Sequence, residues 1–246
     1  MHRTYLIILI AALALTGSAV AQDSLRYSTL SVSGGLDALS SKDGLKYPYQ
    51  YTGTLFLLNS TYTRFQPKGQ HIVDLSYSSG HKKGVVDQAE KSRQVFINYD
   101  YLFNINTKNK KFIPTVGMGL HTIMDYVDYV PGYESTQTYF SAGTYLTLSG
   151  SLSYHLSERS TLRLQVGLPV VGVINRRNGE INGSNYTSLT YFGESILVSA
   201  KLEYCYQLTS KLGLIASYRY NYFRYTDPRK LSLVNNGLFF GLRISL

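Results

Sequence analysis

Ionisable side chains in this sequence recur at alternate positions, and that spacing bounds the chemistry they could do. Asp74 and Asp100 lie on two neighbouring alternating segments, each a few residues from a tight turn. Two carboxylates facing each other would need a shared proton or a cation between them, as in an acid–base pair or an ion path. Arg163, Glu203 and Arg243 lie close to turns as well, and Lys201 and Arg219 sit further along their segments. The simpler reading of the same set is a charge-paired plug, because charges held away from bulk water must find partners. His121 stands near Asp125 and Asp128 at the far end of its segment, where a rim acid–base pair would sit. His155-Leu156-Ser157 places an imidazole two residues from a hydroxyl, a spacing open to nucleophilic chemistry or to chance. His71 and His81 read as solvated or interfacial. No C-x-x-C, H-E-x-x-H or phosphate-binding loop is present, so neither a metal nor a cofactor is expected.

The segments that must position these residues have a period of two. From Asn235 to the end, Leu238, Phe240, Leu242, Ile244 and Leu246 alternate with Phe239, Gly241, Arg243 and Ser245. One face is an apolar strip and the other carries small and charged groups, as a β-strand requires. The same pattern predicts strands over Tyr27–Leu36, Tyr51–Phe65, Gln70–Ser78, Arg93–Asn104, Phe112–Met124, Tyr139–Leu156, Thr161–Val170, Tyr191–Leu208 and Leu212–Tyr225. With the last segment that makes ten. Alternation slips at Leu57-Leu58-Asn59, where a β-bulge is expected. Connections alternate long and short. The short ones include Gln66-Pro67-Lys68-Gly69, Ser157 to Ser160 and Thr209-Ser210-Lys211. The longest is expected from Val171 to about Thr190.

Composition agrees with an exported barrel. The chain has 246 residues, 23 Tyr, 21 Gly, no Trp and a single Cys. Cys205 can form no internal disulfide and reads as a small filler. Residues 1–21 have the form of a signal peptide: Arg3, an apolar run from Leu6 to Leu15, and Ala19-Val20-Ala21 as the cleavage site. Residues 22–246 are then one barrel domain. Removing Arg3 from the 24 basic residues leaves 23 against 15 acidic, so the mature chain is basic. Anionic lipid headgroups are the expected counterpart, and nucleic acid is not.

The closing strand, the alternating connections and the Tyr-rich outward faces resemble small outer-membrane β-barrel proteins of Gram-negative bacteria. The Tyr- and Asn-rich style and terminal Leu246 are similar to the Bacteroidota type. The resemblance implies an all-β fold: a transmembrane antiparallel up-and-down β-barrel of ten strands, with eight or twelve as alternatives. It implies outer-membrane localisation, short periplasmic turns, long outer loops, and Tyr in the interfacial girdles. The last strand would be read by the barrel assembly machinery. A soluble barrel of lipocalin type is the competing fold, with apolar faces inward.

Each functional reading takes different residues. The lumen would hold a charge network of Asp74, Asp100, His121, Arg163, Lys201, Glu203, Arg219 and Arg243. The outer loops would carry Lys82, Lys83, Arg176, Arg177, Arg229 and Lys230, placed to meet lipopolysaccharide phosphates or simply solvated. The leading expectation is a non-enzymatic surface, structural or partner-binding protein with a lumen mostly filled by side chains, its partner another envelope protein. A narrow channel is the first alternative, anion-favouring because lumen cations outnumber Asp74, Asp100 and Glu203. An outer-leaflet hydrolase using His121 or His155 is the second. Outer-membrane phospholipases and lipid A deacylases have a His and Ser at the His155–Ser157 spacing, and omptin-type proteases use Asp and His at the rim of a ten-strand barrel.

Overall fold

A computed structural model describes residues 27–43, 50–84, 89–105, 111–129, 137–177, 185–226 and 230–246. The proposed signal peptide lies outside the described residues. The strands are β1 (Tyr27–Asp43), β2 (Gln50–Gln66), β3 (Gly69–Lys83), β4 (Ala89–Asn104), β5 (Phe112–Tyr129) and β6 (Gln137–His155). They continue as β7 (Ser160–Arg177), β8 (Asn185–Tyr191), β9 (Ser195–Gln207), β10 (Leu212–Tyr225) and β11 (Leu231–Ser245). All paired strands are antiparallel, β1 closes on β11, and β6 on β7. β8 and β9 share one position in the wall: β8 pairs the loop-end part of β7 and β9 its turn-end part. Eleven segments therefore make a closed barrel of ten staves. Closure joins the ten staves in a ring, as a membrane demands, and among the described residues β8 alone is paired on one side only, to β7.

The faces decide the environment. Leu164, Leu202, Leu214 and Leu242 point outward and are exposed, while Arg219 and Lys201 point into the lumen. The lipocalin alternative needs the reverse. Phe240, Leu238 and Leu246 continue the outward belt on the closing stave, and Tyr204, Tyr206 and Tyr218 are exposed near its two ends.

Most strands are longer than expected, and nearly all the added length is at the loop end. β6 has 19 residues. At ~3.3 Å per residue and a tilt near 40° it rises roughly 48 Å, about twice the ~25 Å apolar band of a membrane barrel. Beyond that band polarity inverts. Lys42, Gln50, Thr52, Thr54, His81, Lys83 and Lys91 are exposed outside, whereas Phe96, Ile123, Tyr145, Ile174, Leu197, Phe223, Tyr225, Leu231 and Leu233 pack inside as one apolar core. The loop-end part of the barrel is built like a small soluble barrel.

Two irregularities fall where they were not expected. β2 pairs both neighbours without a register shift, so no bulge exists at Leu57. The alternation slips there because Leu55 and Leu57 face inward and are fully buried. The bulge lies on β7 instead: Leu146 pairs Val171 but Thr147 pairs Pro169, leaving Val170 extra. That shift hides the continuation of β7 to Arg177, so most of the expected long connection is β-structure.

Candidate functional site: a layered lumen

At the turn end the lumen is crossed by ion pairs and hydroxyls. Arg243 on β11 pairs with Glu203 on β9, and its Nε donates to Ser31 Oγ at 3.1 Å. The intervening stave offers Gly213 opposite Arg243, which leaves room for the guanidinium to reach over it. Arg163 donates to Ser151 Oγ at 3.3 Å, and Ser151 lies 2.8 Å from Thr115 Oγ1, to which Gln70 also donates at 3.3 Å.

Above this layer the two carboxylates occupy separate networks. Asp74 is opposite Asn98 and Asp100 is opposite Ile72, so the register offsets them and they do not form the facing pair considered above. Asp74 accepts from Thr61 at 2.7 Å, Asn59 at 3.1 Å and Lys201 Nζ at 3.0 Å. Lys201 reaches it from β9, and its ammonium also lies 3.7 Å from Glu203 and over the Phe239 ring. Asp100 accepts from Ser149 at 2.5 Å and Gln165 at 2.9 Å, and its Oδ1 is 2.9 Å from His121 Nε2.

His121 Nδ1 lies 3.4 Å from Ser199 Oγ. Carboxylate, imidazole and hydroxyl thus stand in the order used by serine nucleophiles. Their surroundings oppose that chemistry. A Cβ on Gly167 would lie 2.6 Å from the His121 ring and 2.7 Å from Ser199 Oγ, so no space is left there for a substrate carbonyl. His121 is also not joined to the acids near it in sequence. Asp125 accepts from Ser92 at 3.3 Å and Gln94 at 3.0 Å, and Asp128 pairs with Arg93. At the turn end, His155 Nδ1 lies 3.1 Å from Thr161, and Ser157 Oγ lies 2.7 Å from Ser160.

Arg219 lies over Phe96 with its Cζ 4.8 Å from the ring centre, donates to Ser76 and stands 3.9 Å from Asp37. Asp37 accepts from Asn235 Nδ2 at 3.0 Å, and the same amide donates to Gln94 Oε1 at 2.6 Å. Asp37 lies one residue past the strand expected over Tyr27–Leu36, and it is fully buried on β1. Its place in an alternating run with Ser31, Ser33 and Gly35 was the available signal. With it, Arg163, Lys201, Arg219 and Arg243 face four acids, Asp37, Asp74, Asp100 and Glu203, and the expected cationic excess in this zone disappears.

The basic loop set also changes. Lys82 faces inward, 3 % exposed, 3.5 Å from Glu90 and 2.9 Å from Ser41 Oγ. Arg176 is buried on β7 with its guanidinium over Tyr225. Both belong to strands that continue past the membrane band, where inward positions are enclosed. Lys83 and Lys230 are exposed. Arg229 and the side chain of Arg177 lie outside the described residues. Among the described residues no group of His, Cys, Asp and Glu is placed to hold a metal ion.

No family model matches the chain, and no curated relative does. Solved structures do. The outer membrane protease OmpT from Escherichia coli superposes with a TM-score of 0.59 at 9% identity, covering 92% of this chain and 99% of that one. The translocator domain of the autotransporter NalP from Neisseria meningitidis gives 0.49 at 8% identity, over 99% and 95% of the two chains. Neisserial surface protein A gives 0.43 at 13% identity, over 87% and 96%. The fold is that of an outer-membrane β-barrel. Its apolar belt, polar inner face and turn-and-loop asymmetry are what an outer membrane requires of a spanning protein. Such a barrel is surrounded by lipid and lipopolysaccharide along its wall.

Proposed function

We propose that this outer-membrane barrel does not conduct and acts through its outer end, as a surface or partner-binding component of the envelope. The observation that supports the reading is the series arrangement of two fillings, ion-paired layers within the membrane band and an apolar core above them. The balanced charges remove the reason to favour anions, and an apolar constriction disfavours the water that any ion would need. The polar exterior of the loop-end part, with Lys42, Lys83 and Lys91 exposed, offers charge for lipopolysaccharide phosphates or for an acidic face of another envelope protein. Planar-bilayer recording tests this directly. The expected result is no unitary current at high protein load in either polarity; reproducible ohmic steps from the purified barrel would overturn the reading.

A further inference from the structure

Among the described residues β8 pairs with β7 alone, from Val171 opposite Tyr191 to Arg177 opposite Asn185. On its other side the wall has ended. β10 stops at Tyr225, opposite Ser195 of β9. Thr190 Oγ1 donates to Ser195 Oγ at 2.7 Å, so β8 stands above the level at which β10 finishes. The turn between β8 and β9 is formed and anchored. Gly193 has φ 116°, open to glycine at little cost, and Thr226 Oγ1 donates to the Glu194 carbonyl at 3.0 Å.

The phase of the ladder fixes which backbone groups face the open side. Phe192 N–H donates to Val170 O at 3.1 Å. Successive residues of an antiparallel strand turn their N–H and C=O to opposite edges. Thr190 and Ser188 therefore face β7, whereas Leu189 and Thr187 face away from it. Tyr191, in the same phase as Leu189, has its carbonyl taken by Glu194 N–H at 3.1 Å. Leu189 O accepts from Ser188 Oγ at 3.1 Å, and a carbonyl has room for a second donor.

This edge lies in water. Val173, opposite Leu189, is roughly 30 Å above the turn at Ser160, beyond the ~25 Å apolar band. Exposed strand edges are ordinarily guarded by charge, proline or a bulge. Asn185–Tyr191 contains no charged residue and no proline, and its ladder with β7 has no register shift. Leu189 is 68% exposed on the outer face, and no large apolar side chain among the described residues is more so.

We propose that the open edge of β8 receives an extended segment of another envelope protein as an added antiparallel strand. The segment is uncharged and alternating, with an apolar residue against Leu189 and a small polar residue beside Thr190. It would stand where an upward continuation of β10 would stand. A second copy of this chain does not fit. With β8 the one open edge among the described residues, a copy could offer only its own β8. Two barrels in one membrane are related by an axis along the membrane normal, which crosses two such strands at roughly 80°, twice the strand tilt. An inverted copy paired at this height would push the top of β6 into the facing membrane.

The proposal rests on the reading that the barrel acts through its outer end. Its test uses the full-length barrel in phosphatidylethanolamine vesicles and a dye-labelled peptide, Thr-Val-Thr-Val-Thr-Val-Thr with a two-lysine tail. A second peptide carries N-methyl groups on its valines, the residues whose N–H would meet Leu189 and Thr187. Fluorescence anisotropy should show saturable binding of the first peptide and about tenfold weaker binding of the second, through lost backbone hydrogen bonds. Leu189→Pro removes an N–H that β7 does not use and should weaken the first peptide by a similar factor. Leu189→Thr keeps that N–H and should retain most of the binding. Equal binding of the two peptides, or no saturable binding of the first, would overturn the proposal. Should Leu189→Pro fail to fold, judged by heat-modifiable migration, the two peptides on the wild-type barrel decide. Planar-bilayer current bears on conduction alone, so failure of either reading is told apart from failure of the other.

Discussion

Removing Asp74 would leave Lys201 in the lumen without its closest anionic partner. Breaking one side of a buried pair typically costs about 3–5 kcal/mol, because the remaining charge keeps its desolvation penalty. Lys201 retains Thr61 and a 3.7 Å approach to Glu203, so Asp74→Ala is expected at the low end, about 3 kcal/mol. Asp74→Ala with Lys201→Met should recover most of that loss, since neither charge is then buried alone. Urea titration of the folded barrel in vesicles measures both, and additive costs would show that the two side chains do not act as a pair. The outward face is tested the same way. Phe240 is 61% exposed on the closing strand, five residues above Ser245 and near the middle of the band. Phe240→Arg should cost about 2–4 kcal/mol, while Leu242→Asp, closer to the periplasmic edge, should cost less and chiefly slow insertion.

At the scale of the strand, glycines mark where neighbouring staves approach most closely. A Cβ on Gly241 would lie 2.0 Å from Val32 O and one on Gly117 1.9 Å from Tyr101 O, both backbone atoms. A Cβ on Gly150 would meet only Thr115 O at 3.4 Å. Gly241→Ala is therefore expected to destabilise by about 1–3 kcal/mol through a forced backbone shift, and Gly150→Ala by little. Comparable denaturation midpoints for the two would remove the close-approach argument. The strands themselves were legible in the sequence wherever lipid is the outer solvent, because Leu238 to Leu246 or Leu162 to Leu168 then alternate with small or charged partners. Legibility failed where polarity inverts. Leu39, Leu55 and Leu231 are inward and apolar, so the ends of β1, β2 and β11 read as connections or slips. It failed again at Val170, where one extra residue shifts the phase and conceals the continuation of β7 to Arg177. The same two causes displaced site residues: Asp37, Lys82 and Arg176 sit on strand ends that read as loops.

For the whole molecule, the inversion means that two different solvents enclose one barrel, and the interior answers each in turn. Where the outside is hydrocarbon, the inside holds ion pairs and hydroxyls; where the outside is water, the inside holds an apolar core with Lys82, Glu90, Asp125 and Arg176 buried around it. Two unlike barriers then lie in series along one axis. Phe223→Ala with Leu233→Ala should loosen the upper core at a cost of several kcal/mol, yet the ion-paired layers below would keep the lumen closed. Arg219→Ala should open space beside Phe96 and Asp37, yet Phe223, Tyr225 and Leu231 would still exclude water above it. Each variant alone is expected to remain silent in a planar bilayer, because conduction needs a continuous wetted path. Steady current from either variant alone would mean that the other layer is no barrier, and would place the whole resistance of the lumen in a single layer.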